Sequence, residues 1–147
     1  MKRTRTWILI ADGGRAIVFE SHGPRSALTP VKDMSIAQDL PPKRELQSDR
    51  PGRSYESANP TRHAMEGRSD PHRKLKRHLA REVAERLEDC LRKGRFDRLA
   101  VVAAPVVLGD MREAFSDQVK AVITAELAKD LVQVPLADLP AHLEPVR

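Results

Sequence analysis

Two short apolar runs lie close together near the start of the chain. Trp7 to Ala11 and Arg15 to Glu20 are separated only by Asp12-Gly13-Gly14. Runs of this length, rich in Ile, Val and Phe, are strand formers, and Asp-Gly and Gly-Gly are turn-forming pairs, so the segment predicts a β-hairpin. A strand pair cannot bury its own faces, and the rest of the chain must supply covering layers.

One covering element is legible directly. Leu75, Leu79, Val83, Leu87 and Leu91 recur at a spacing of four, with Ala80 and Ala84 beside them. This predicts a long amphipathic helix. Asp70 is placed to cap it, Pro71 to open it and Gly94 to end it. A third strand is expected from Leu28 to Ile36, with Pro30 marking an edge. Leu99 to Ala104 reads as a buried strand leaving at Pro105 into a surface loop. Leu108 and Gly109 lead into a short helix through Phe115, a strand follows near Lys120 to Glu126, and a last helix covers Leu136 to Leu143. With 147 residues there is material for a single domain, 1–147. The expected class is α/β, a mixed β-sheet with helices packed on its faces.

Between Pro41 and Pro71 the aliphatic residues almost vanish, and a long basic loop at about 37–70 is expected. From Pro41 to His78 there are ten Lys and Arg against five Asp and Glu, which equals the +5 excess of the whole chain. Arg73, Lys74, Lys76 and Arg77 fall in the first turns of the helix, where the dipole disfavours positive charge by ~0.3–1 kcal/mol each. A bound anion would relieve that cost; the competing reading is a solvated face on which screened cations cost little. Further along the helix, Glu82 with Arg86 and Glu88 with Arg92 have supportive i, i+4 order.

The chemistry of other classes has little to work with. Cys90 stands alone and excludes an internal disulfide; it is expected to pack as a small hydrophobe. His72 and His78 lie six apart, about 240° around a helix, so no helical metal pair is present and neither metal nor cofactor is expected. Asp12 fits a turn residue bonding its own backbone. A hydrolase or nuclease assembled from Asp12, His63, Asp70 and His72 is the enzymatic alternative. Trp7 to Ala11 is too short for a signal peptide or a membrane span, so a cytoplasmic protein without membrane insertion is expected.

The ordered series Trp7-Ile8-Leu9-Ile10-Ala11-Asp12-Gly13-Gly14-Arg15-Ala16, Arg62-His63-Ala64, Asp70-Pro71-His72, Phe96-Asp97-Arg98-Leu99, Ala104-Pro105, Leu108-Gly109-Asp110-Met111-Arg112 and Glu126-Leu127-Ala128-Lys129-Asp130-Leu131 resembles the bacterial host attachment protein family. The resemblance spans nearly the whole chain. It implies a role in attachment of bacteria to host cells; with no catalytic motif and no secretion signal in the residues, that role is expected to be non-enzymatic and exerted indirectly from the cytoplasm. The family in turn resembles the middle domain of archaeal and eukaryotic release factors and of Pelota, implying a ribonuclease-H-like fold. The Gly-Gly-Gln loop of release factors has no counterpart in Thr61 to Pro71. The partners this implies are RNA or the ribosome, with another protein as the alternative. The candidate anion- or RNA-binding residues are Arg62, His63, Arg68, His72, Arg73, Lys74, Lys76 and Arg77.

Overall fold

The structure is a computed structural model and describes residues 4–23, 26–38 and 71–146. The hairpin forms as expected: β1 (Thr6–Ala11) pairs antiparallel with β2 (Arg15–Ser21), Leu9 opposite Val18. On its other side β1 pairs in parallel with β5 (Arg98–Ala103), and β5 in parallel with β6 (Ile123–Leu127). Two-residue strands β3 (Thr29–Pro30) and β4 (Ile36–Ala37) both pair with β2. The sheet order is β3-β2-β1-β5-β6.

Because side chains alternate across a strand, β1 and β5 are apolar at every buried position and feed two cores. Trp7, Leu9, Ala11, Leu99, Val101 and Ala103 face a helical layer, whereas Ile8, Ile10, Ala100 and Val102 face the C-terminal segment. The helical layer is built on α1 (Pro71–Arg92), α2 (Pro105–Ala114) and α3 (Asp117–Ala121). Leu79, Val83 and Leu87 of α1 are fully buried there. The opposite face is covered by Leu131, Val132, the one-turn helix α4 (Leu139–His142) and a 3-10 turn at Glu144–Val146. The fold is mixed α/β, with helices on the faces of a mixed sheet.

Four boundaries differ from expectation. The strand expected at Leu28 to Ile36 is broken by a 3-10 turn at Lys32–Met34. That turn drops Met34 into the helix-side core, with its sulfur 3.7 Å from Cys90 Sγ. Pro105 does not lead into a loop but opens α2, where its fixed φ suits the first turn and no amide is lost. Ser116 caps α3 through the Val119 amide (3.3 Å), so a helical turn takes Lys120 and Ala121 from the expected strand. The last helix is shorter than Leu136 to Leu143: Leu136 is exposed, and the chain is anchored instead by buried Leu139, Leu143 and Val146.

Gly94 ends α1 as expected, at φ +71°. Its amide donates to Leu91 O and that of Arg95 to Cys90 O, both at 3.0 Å, the paired bonds of a Schellman motif. Asp70, the expected cap at the other end, lies outside the described residues.

Candidate functional site

The parallel strands β1 and β5 end at Ala11 and Ala103, and α1 begins beside them. In open α/β sheets this carboxyl end is where ligands usually bind. The Asp12–Arg15 turn forms the rim. Asp12 Oδ1 accepts from the amides of Gly14 (2.8 Å) and Arg15 (2.7 Å), and the Asp12 amide donates to Arg15 O (2.9 Å). The carboxylate thus holds its own turn, as a short acceptor side chain in this position does.

Residues flanking the long basic segment converge on the same rim. The Gln38 amide donates to Gly14 O (2.9 Å), and Gln38 Nε2 donates to Leu75 O on α1 (2.6 Å). Lys76 lays its alkyl chain over Gly13: a Cβ at that position would stand 2.7 Å from Lys76 Cγ and Cε. His72, one turn before Lys76, shares the crevice so formed. A second crevice, about 510 Å³, runs between α1 and α2 and is lined by Arg77, Arg81, Asp110, Glu113 and Ala114.

Arg62, His63 and Arg68 of the expected set lie outside the described residues. The other five share the first two turns of α1 but do not act alike. Arg73 is turned inward, its guanidinium donating to both carboxylate oxygens of the buried Asp110. Lys74 and Arg77 are exposed, while His72 and Lys76 are half-buried at the Gly13 crevice. Lys74, Lys76 and Arg77 form no ion pair among the described residues, and neither do Arg15 and Arg81. Arg81, one turn beyond Arg77, was recoverable from the i+4 spacing. Asp110 also had a signal: an acid set among Val107, Leu108 and Met111 on the inward side of a helix needs a partner.

Toward the opposite end of the sheet five cations are matched with acids. Arg86 pairs with Glu82 (3.3 Å) as expected; Arg92 turns to Asp89 (3.2 Å) instead of Glu88, and Lys93 joins the same carboxylate (2.9 Å). Arg5 lies 3.6 Å from Asp97. Arg95 donates two bonds to Asp33, at 2.6 and 2.9 Å, with its guanidinium 5.2 Å from the Trp7 ring centre. Trp7 stacks on Phe96 and donates from Nε1 to Glu20 (2.9 Å). The Arg95 guanidinium holds the Asp33 carboxyl below its ordinary range, and Asp33 in turn raises Arg95. Burial pushes the Cys90 thiol up, in keeping with a packed sulfur.

Among the described residues no cluster of three His, Cys, Asp or Glu could hold a metal ion. No described helix is long and apolar enough to cross a membrane. Fold and charge together define a mixed α/β protein in which Arg15, Lys74, Lys76 and Arg77, around the start of α1, form no ion pair among the described residues. Residues 7–143 match the family described as protein required for attachment to host cells. The match covers most of the chain, which therefore belongs to that family. No curated protein matches it.

Proposed function

We propose that this protein serves host attachment as a non-enzymatic, cytoplasmic interaction protein that acts on adhesion indirectly by binding a polyanion. RNA, free or in the ribosome, is the partner whose chemistry fits. The observation that carries this reading is the polarity of α1: Lys74, Arg77 and Arg81 have no acid partner among the described residues, whereas Arg86, Arg92 and Lys93 toward its other end do. Unpaired lysines and arginines on one surface supply phosphate contacts and release counterions when they bind. Kinship with the release-factor middle domain belongs to the same proposal as a fold-level analogy.

The test is binding of single-stranded RNA and of ribosomes to the full chain between about 50 and about 200 mM salt. Binding should weaken steeply with salt. Replacing Lys74, Arg77 and Arg81 with Gln should lower the slope by ~0.7 for each single-strand phosphate that is no longer neutralised. Binding that ignores both the salt and the substitutions rejects the proposal.

A further inference from the structure

The crevice over Gly13 differs from the open face of α1. It is a shallow, solvent-open depression of about 460 Å³ whose floor is the Asp12–Arg15 turn and whose wall is the first turns of α1. Its cations come from two separated elements, Arg15 on the hairpin and Lys76 on α1, with His72 on the preceding helical turn beside them. Asp12, the acid on its floor, already accepts two turn amides at Oδ1. Lys76 reaches over the turn only because position 13 has no Cβ, so the glycine is what admits the ammonium stem. Gly13 has no positive φ, and backbone conformation therefore does not account for a glycine there. A lysine laid across a glycine turn, with an arginine lining the same crevice, matches the charge of a phosphate group.

We propose that this crevice binds a phosphate monoester, with Lys76 and Arg15 as its charge partners and Gly13 as the residue that makes room for Lys76. The proposal rests on the polyanion reading for the sign of the ligand but concerns a separate set of residues. The ester can be a small phosphorylated molecule or the terminal phosphate of an RNA strand, since both present the same dianion.

The experiment follows the amide resonances of the full chain during titration with inorganic phosphate. In parallel it compares a short RNA carrying a 5′-phosphate with the same RNA ending in a 5′-hydroxyl. Saturable shifts centred on Gly13, Gly14 and Lys76 are expected with phosphate. If the terminal phosphate is the ligand, the phosphorylated RNA binds about tenfold more tightly than the hydroxyl form; if the two RNAs bind alike while phosphate saturates, the ligand is a free small ester. Lys76→Gln should abolish the phosphate shifts. Gly13→Ala should weaken them by displacing a flexible side chain while the fold is kept. Lys74→Gln and Arg77→Gln should leave them unchanged, although they weaken RNA binding through the α1 face. Absence of saturable shifts together with equal affinity for both RNAs overturns the proposal, as does a phosphate response that survives Lys76→Gln.

Discussion

Arg73 and Asp110 form a two-bond ion pair, Nη1 to Oδ2 at 2.5 Å and Nη2 to Oδ1 at 2.6 Å, joining the first turn of α1 to the middle of α2. It sets Arg73 apart from the neighbouring cations. Lys74 and Arg77 face solvent, whereas Arg73 turns its charge inward and ties the start of α1 to α2.

Breaking that pair from the cationic side should be costly. Asp110 is only 7% exposed, so Arg73→Met strands a carboxylate that water reaches poorly. Loss of one partner of a fully buried pair costs ~3–5 kcal/mol; because the Arg73 side chain is 30% exposed, solvent screening reduces the expectation to about 2–3 kcal/mol. The double variant Arg73→Met with Asp110→Leu should recover most of this, since no charge is left unpaired. Urea midpoints at constant slope measure it. A double variant no more stable than Arg73→Met alone would show that the pair does not act through charge.

Acid should weaken the Arg95–Asp33 pair at the opposite end. Arg95 lowers the Asp33 carboxyl, so the folded state binds that proton more weakly than the unfolded chain. The pair therefore stabilises the protein above the ordinary carboxyl value of 3.8, and its contribution is lost as the pH falls through the lowered value. Asp33→Asn should be less stable than the parent near neutrality, and the gap should close on acidification. The same substitution should alter Trp7 fluorescence, because Arg95 is held over that ring by Asp33. A gap that widens in acid would contradict the sign.

Cys90 should behave as packing and not as a reagent. Burial raises its thiol above 9.0, and the folded state keeps a proton that the unfolded chain releases, so stability should fall as the pH rises past that value. Cys90→Ala should remove this alkaline decline while costing about 1 kcal/mol for the small cavity left behind. Labelling by a thiol reagent should track unfolding in urea. Rapid labelling of the native protein would place the sulfur at the surface.

The end of α1 offers a test of backbone conformation alone. Nothing lies within 4 Å of a Cβ built on Gly94, yet its φ is +71°. Gly94→Ala should cost about 1 kcal/mol through the left-handed conformation alone, and Gly94→Asn clearly less. Thermal denaturation of the two variants separates them; equal stability of all three proteins would mean that the helix end relaxes to another cap.

Local signals carried far in this chain. The hairpin, the apolar stripe of α1, its Gly94 stop and the buried strand at Leu99 were legible because each is set by periodicity or turn chemistry within a few residues. The stretches that went astray had competing local signals. Pro105 serves equally as a strand terminus and as a helix start, and Val119 to Leu127 holds apolar residues at both helical and strand spacing, so Ser116 and the packing of Val119 decided the issue. At the site, spacing along α1 identified the cationic turns but could not tell which cation turns inward, since the Asp110 that claims Arg73 lies 37 residues away.

Neighbouring residues were enough to set the sheet-and-helix class, the excess of positive charge around the start of α1 and the turn role of Asp12. It took the folded arrangement to turn Arg73 inward onto Asp110, to lay Lys76 across Gly13 and to bring Arg95 against Asp33. Those outcomes depend on the parallel pairing of β1 with β5, which sets the direction of α1 and brings residues distant in the chain within hydrogen-bonding range.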